Sequence, residues 1–183
     1  REDRNQNLAE TFKYDELNRL TETNFQGLGS KTYQYDSLGN ITHKSDVGNY
    51  TYGQNNAGPH AVTQTFGTRN NTYSYDANGN QISGAGRVLT YTSFNKPLSI
   101  TKDSTVVTYS YDAERNRIKK TKGADTTVYI GKLYEKVIKG GVLEHKQYIS
   151  AGGNTFAVLN TKGATMETRY MHKDHLGSTD VIT

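Results

Sequence analysis

The chain has no cysteine and no apolar run close to the roughly 18 residues that span a bilayer as a helix. The first absence excludes disulfides, thiolate nucleophiles and cysteine-held zinc but does not fix a compartment, because secreted proteins need not carry disulfides. The second argues against membrane insertion by a helix of this segment. The polar, charged start, Arg1 to Glu10, does not read as a signal peptide. Aliphatic residues are scarce as well. With glycine counted and tyrosine left out, the apolar share is roughly 35%, against about 45–50% in ordinary globular domains. Proline occurs only twice, at Pro59 and Pro97, both expected in connections. No segment holds apolar residues at the 3–4 spacing of a helix over three turns.

Tyrosine supplies much of the missing apolar mass. The 183 residues contain 14 tyrosines, each with a large ring to bury and a hydroxyl that needs a partner. The net charge of +4 comes from interspersed lysines, arginines and acids, which argues against a nucleic-acid partner. The beginning at Arg1-Glu2-Asp3 and the strand-like ending Val181-Ile182-Thr183 read as a piece of something longer.

The tyrosines are periodic. Tyr14, Tyr35, Tyr52, Tyr75, Tyr91, Tyr111, Tyr129, Tyr148 and Tyr170 follow one another at about 20 residues, the mark of a repeat architecture. Four carry a second tyrosine two positions earlier, as in Tyr33-Gln34-Tyr35 and Tyr73-Ser74-Tyr75, and Phe12-Lys13-Tyr14 is a variant. A spacing of two places both rings on one face of a strand. Asp36-Ser37-Leu38-Gly39-Asn40 and Asp76-Ala77-Asn78-Gly79-Asn80 then supply a turn: the carboxylate accepts amides just after it, and glycine takes the positive φ that reverses the chain. In Asp15-Glu16-Leu17-Asn18-Arg19, Asn18 stands in the glycine place. In Asp112-Ala113-Glu114-Arg115-Asn116, Arg115 would be strained there, and the left-handed residue is expected to move to Asn116.

After each tip an apolar residue restarts a strand, at Ile41, Ile82, Leu98 and Ile118, with apolar side chains expected inward and polar ones outward. Gly53 to His60 replaces one tip, and from Thr127 the period persists without the aspartate. The expected fold is all-β: antiparallel β-hairpins forming a curved strip, an open fragment of a β-shell or solenoid. Residues 1–126 would be the tyrosine-aspartate array and 127–183 its variant, continuous with it.

The motif Tyr35-Asp36-x-x-Gly39-Asn40 and its copy at Tyr75-Asp76-x-x-Gly79-Asn80 resemble the YD repeats of the RHS (rearrangement hotspot) and teneurin-like family. With them stand Tyr14-Asp15 and Tyr111-Asp112. The run Arg169-Tyr170-Met171-His172-Lys173-Asp174-His175-Leu176-Gly177-Ser178-Thr179, preceded by Tyr129 and Tyr134-Glu135, is similar to the start of the RHS-associated core of bacterial members. The resemblance implies a strip of a hollow shell that encloses a polypeptide and helps deliver it, often a toxin domain at the C-terminus of the same chain. It also implies a secreted or cell-surface parent, with the rest of the shell and the enclosed toxin as partners and no cofactor. A self-cleavage residue of the family falls beyond Thr183 and has no counterpart here.

Chemistry has less support. Asp15, Asp36, Asp76 and Asp112 each sit at a separate tip, where turn formation accounts for them. His172, Asp174 and His175 could ligate a metal, but alternation along a strand puts His172 and Asp174 on one face and His175 on the other. Gly27-Leu28-Gly29 and Gly84-Ala85-Gly86 lack the strand-to-helix setting of a phosphate loop. The segment therefore reads as a wall, not an enzyme. A carbohydrate-binding or adhesion module is the alternative, from its abundant tyrosine and asparagine. Open sheet edges predict pairing with a second copy or another chain.

Overall fold

The computed structural model describes residues 2–3, 8–174 and 177–183. Among them every regular element is a strand. The chain divides into two compact units, Arg1–Gly86 and Arg87–Thr183, whereas the sequence motif changes at 126/127.

The first unit contains β1 (Glu2–Asp3), β2 (Leu8–Tyr14), β3 (Leu20–Phe25), β4 (Gly29–Tyr35), β5 (Ile41–Lys44), β6 (Gly48–Tyr52), β7 (Val62–Phe66), β8 (Asn71–Tyr75) and β9 (Gln81–Gly84). Each pairs antiparallel with its sequence neighbour. The second unit repeats this plan with β10 (Arg87–Tyr91), β11 (Pro97–Lys102), β12 (Thr105–Tyr111), β13 (Arg117–Lys122), β14 (Asp125–Ile130), β15 (Tyr134–Lys139), β16 (Val142–Ala151), β17 (Asn154–Lys162), β18 (Thr165–Lys173) and β19 (Thr179–Ile182). Pro97 opens a strand instead of lying in a connection. Proline is tolerated at a strand's first residue because no preceding ladder bond needs its missing amide.

Among the described residues the strand-to-strand contacts within each unit run between sequence neighbours, and the near absence of buried apolar side chains is that of a sheet without a covering layer. This changes where apolar residues go. The alternation expected to send them inward has no inner layer to fill, and Ile82, Leu98 and Ile118 are 37, 46 and 39% exposed. The buried hydrophobic residues among those described are Ala157 and Val158 alone. Both lie in β17, which has long partners on both sides. Ala157 stands opposite Ile149 and Tyr170, and Val158 opposite Tyr148 and Arg169, so each side chain is flanked from two strands on its own face.

Burial elsewhere is local and polar. Thr23, Thr63 and Thr65 are buried, Thr23 across from Phe12 and Thr65 across from Tyr50. Small β-branched side chains fill the hollows between large rings on one sheet face.

Candidate functional site

The repeated aspartates build one loop again and again. At Asp15, Asp36, Asp76 and Asp112 the aspartate amide donates to the carbonyl of the residue four ahead, at 2.9–3.0 Å. The amide three ahead donates back to the aspartate carbonyl at 2.9–3.2 Å. Carboxylate oxygen Oδ1 accepts the amide of the fourth residue at each site, at 2.7–2.8 Å. In the first three loops it also accepts the amide two ahead. Oδ2 takes the fifth side chain: Arg19 Nε at 2.7 Å, Asn40 Nδ2 at 3.0 Å, Asn80 Nδ2 at 2.9 Å and Asn116 Nδ2 at 3.3 Å. Each carboxylate thus accepts its bonds from within its own loop.

This hydrogen-bond pattern places the left-handed residue third after the aspartate. Asn18, Gly39 and Gly79 occupy the slot with φ of 58°, 87° and 81°. Arg115 occupies it too, at φ 65°, so the expected shift to Asn116 does not occur. The loop closes through the Asn116 amide and carboxamide on Asp112, and moving the turn by one residue would break both. Those bonds outweigh a penalty of about 1–2 kcal/mol for a non-glycine residue at positive φ. The Arg115 guanidinium also lies 5.5 Å over the Phe94 ring.

Two further loops share the geometry without the dipeptide. Thr92-Ser93-Phe94-Asn95-Lys96 closes through Thr92 and Lys96 at 2.9 Å, with Asn95 at φ 59° and Thr92 Oγ1 accepting the Lys96 amide at 3.1 Å. Threonine in the aspartate slot and asparagine in the glycine slot were the available signal. The second loop runs from Asp174 to Ser178. The Ser178 amide reaches Asp174 Oδ1 at 2.9 Å, and Gly177 sits at φ 87°. His175 and Leu176 of the core-like run lie outside the described residues. Asp174 therefore lies past the end of β18 instead of alternating with His172 on a strand. The His172 ring Nε2 lies 2.9 Å from Thr183 Oγ1. Among the described residues no three His, Cys, Asp or Glu side chains converge as metal ligands would.

The tyrosine before each loop has a separate task. Pairing shifts register at Tyr14, Tyr35, Tyr52, Tyr75, Tyr91 and Tyr111, and again at Lys173, which stands in the tyrosine's place before Asp174. From that bulge the Tyr35 hydroxyl donates to the Leu20 carbonyl at 2.8 Å, and Tyr52 to Ile41 at 2.8 Å. Tyr75 likewise donates to Val62 at 2.7 Å and Tyr111 to Pro97 at 2.7 Å. Each acceptor lies where the strand restarts after the preceding connection, so the hydroxyl staples one hairpin to the one before. Such a bond contributes about 1 kcal/mol net. Desolvation pushes the pKa of Tyr52, Tyr75 and Tyr111 upward. Burial, with a hydrogen bond from Tyr148 to Glu135 and that carboxylate's charge, takes Tyr148 up to about 12.

At Arg19, Asn40 and Lys96 the fifth loop residue also reaches a neighbouring segment. In the first unit Arg19 Nη1 donates to the Asp36 carbonyl at 3.0 Å while its guanidinium lies 4.7 Å over Tyr35. Asn40 Nδ2 donates to the Pro59 carbonyl at 3.2 Å, and its Oδ1 lies 2.7 Å from His60 Nδ1. In the second, Lys96 Nζ donates to the Arg115 carbonyl and lies 5.7 Å over Tyr111. The segment Gly53–His60 thus takes part in the same arrangement as the aspartate loops.

Loop, staple and tie meet at Asp36, with Tyr35 and Asn40, and the loop recurs with a staple or a tie at Asp15, Asp76, Thr92 and Asp112; residues 14–51 match the family model described as RHS Repeat. The chain carries RHS repeats. Over 181 residues it is 28% identical to the tRNA3(Ser)-specific nuclease WapA of Bacillus spizizenii, covering 84% of this chain and 8% of that protein. Over 148 residues it is 27% identical to the tRNA nuclease WapA of Bacillus subtilis, covering 76% of this chain and 6% of that one. The chain therefore spans only a small fraction of these relatives. Its fold is similar to a crystal structure of TcdB2-TccC3-Cdc42, with a TM-score of 0.58 at 13% identity, over 96% of this chain and 12% of that one. The RHS loop geometry at Asp76, Thr92, Asp112 and Asp174 extends beyond the residues that the family model matches.

The RHS loops also predict a pH response. Asp15 is held below the usual carboxylate range chiefly by the Arg19 amide, and Asp76 chiefly by the Asn80 side chain. At Asp36 desolvation is the largest single influence and pushes upward, but the bonds from Asn40, Leu38 and Gly39 together outweigh it. A carboxyl depressed in the folded state stabilises fully above its unfolded pKa of about 3.9, and that stability is lost as pH falls through the lowered folded value. Melting temperature is expected to be flat above pH ~4 and to fall below it. Asp76→Asn keeps an Oδ1 acceptor and should show a shallower acid decline in thermal melts at constant ionic strength. An unchanged decline would remove Asp76 from the account.

Proposed function

We propose that this chain is a wall segment of an RHS-type toxin protein of bacterial origin, secreted or cell-surface, in which the strip encloses a polypeptide effector and helps deliver it. In this reading the segment performs no catalytic step. Any nuclease activity like that in the names of its relatives belongs to parts of the parent beyond these repeats. The observation that carries the proposal is the single-layer sheet whose tips and strands are tied to one another while apolar residues stay exposed. Stability comes from local staples, which a sheet needs when no second layer gives it a core. The alternative of a carbohydrate-binding surface has less support, because Tyr33, Tyr35, Tyr109, Tyr111 and Tyr129 already carry a lysine or arginine over their rings.

A wall has an inside and an outside, and the chain lacks cysteine, which makes sidedness measurable. Lys119 and Lys122 lie on opposite faces of β13, since side chains alternate along a strand. In the full parent, Lys119→Cys and Lys122→Cys should differ sharply in labelling by a bulky polyethylene-glycol maleimide, and become equal once the parent is denatured. A protease should spare the effector in the intact parent. Equal labelling before denaturation, or an effector as readily digested with the repeats as without them, would overturn the proposal.

A further inference from the structure

Charge is divided unevenly along this chain. Residues 1–86 hold seven Lys and Arg against nine Asp and Glu, whereas residues 87–183 hold fifteen against nine. Within residues 115–139, on β13 to β15 and their connections, eight cations face only Asp125 and Glu135. The register places several of these cations on one face. Tyr109 opposes Lys120, which opposes Thr127, which opposes Val137, and in the next row Lys122 opposes Asp125.

Lys120, Lys122 and Lys139 surround an open pocket of about 300 Å³ with Asp125, Thr127 and Val137. Asp125 is the only acid in that lining, and its Oδ1 accepts the Gly140 amide at 2.9 Å. None of the three lysines forms an ion pair among the described residues. The neighbouring pocket differs. There Lys146 pairs with Glu144 at 3.9 Å and Arg169 with Glu167 at 3.0 Å, so its charge is largely neutralised within the protein.

We infer that the Lys120–Lys122–Lys139 face of the second unit docks an acidic, extended polypeptide segment. Lys120 and Lys122 are two residues apart on a strand, about 6.6 Å, which is also the spacing of alternate side chains in an extended peptide. Carboxylates at every second position of a partner strand can therefore meet successive lysines, with its intervening side chains turned away. Thr127 and Val137 between the lysines suit the aliphatic stems of glutamates. A nucleic acid would in addition want free aromatic faces for base stacking. Here Arg117 lies 4.6 Å over Tyr129 and 5.6 Å over Tyr109, and Arg115 covers Phe94. The cations of this face remain available while its rings are already occupied. This inference deepens the proposed function, since the enclosed polypeptide is the natural partner, and rests on it in that respect.

The test uses the 183-residue chain and a fluorescein-labelled alternating Glu-Thr peptide of about 12 residues, a length of roughly 40 Å when extended. Fluorescence anisotropy should show saturable binding that weakens as salt rises from about 0.05 M to about 0.3 M. The matching Gln-Thr peptide should not bind. The triple variant K120Q/K122Q/K139Q should weaken binding at least about tenfold, and the triple Lys→Arg variant should restore it to within about threefold. The control K146Q/K162Q should change it less than about twofold. Circular dichroism verifies that each variant is folded, which these solvent-accessible positions permit. The inference is overturned by absence of saturable binding, by a K120Q/K122Q/K139Q variant that binds as the parent chain does, or by tighter binding of a single-stranded oligothymidylate of equal charge. Self-association of the chain abolished by the same triple substitution would also overturn it, by assigning the face to a second copy. Sidedness and protection of the effector in the full parent are measured separately, so either result can fail while the other stands.

Discussion

Gly48→Ala is expected to destabilise the first unit by about 3–4 kcal/mol, among the largest single-residue effects in this chain. Gly48 has φ +106°, a region that costs any other residue strain, and it opens β6 directly against the end of β7. A Cβ built there would lie 2.2 Å from the Phe66 carbonyl oxygen and 3.1 Å from the Gly67 Cα. Both are backbone atoms and cannot swing aside. Gly67 is itself at φ +120°, with its own Cβ position 3.2 Å from the Gly48 Cα, so two glycines oppose each other where two connections meet. The Arg69 amide donates to the Val47 carbonyl at 2.8 Å beside them, which fixes the approach. For a unit of this size the loss corresponds to a melting-temperature fall on the order of 15 °C or more. Gly39→Ala and Gly79→Ala provide the contrast. Both are at positive φ, but a Cβ there meets nothing within 4 Å, so each should cost only about 1 kcal/mol of strain. Comparable melting for all three variants would mean that the close approach contributes little.

The next largest loss is expected from Gly84→Ala, at about 2–3 kcal/mol. Gly84 ends β9 opposite Tyr73, and a Cβ would come within 2.2 Å of the ring's Cδ1 and 2.9 Å of its Cε1. The obstacle here is a side chain, which can rotate at the expense of its packing over the strand, so the penalty should be smaller than at Gly48. A double-mutant cycle separates the two contributions. Tyr73→Ala removes the ring, and the cost of adding Gly84→Ala in that background should fall to about 1 kcal/mol, the share due to φ +151°. Additive losses in urea denaturation would show that the ring and the glycine do not depend on each other. The expected coupling explains why a tyrosine two positions before the loop tyrosine faces glycine here: the ring lies against Gly84 on the neighbouring strand and leaves no room for a methyl group.

The acid response of the loops and the stiffness of these glycine contacts concern different parts of the same design. The loops hold each hairpin tip, the staples connect consecutive hairpins, and the glycines permit the chain to pass close to itself. Losing one loop removes its tie to the next but leaves that neighbour's carboxylate bonds, which lie within its own five residues. Losing a close contact changes the pairing of two strands.

The sequence by itself determined what depends on neighbouring residues. Asp36 and Asp76 bond to amides two and four positions ahead, Gly39, Gly79 and Asn18 take the left-handed position, and Tyr33 and Tyr35 share a face by alternation. These follow from chemistry within a few residues, so the all-β strip was legible without coordinates. Tertiary structure decided whatever depends on two distant segments meeting. Tyr75 finds the Val62 carbonyl, Arg115 accepts a left-handed conformation because Asn116 must reach Asp112, and Thr92 stands in for an aspartate once its loop is held in register. The lysine face, likewise, exists only after β13, β14 and β15 align Lys120, Lys122 and Lys139 around one pocket. Local hydrogen bonds are encoded by spacing along the chain, whereas register across strands is a collective result of many weak contacts that no single stretch of sequence displays.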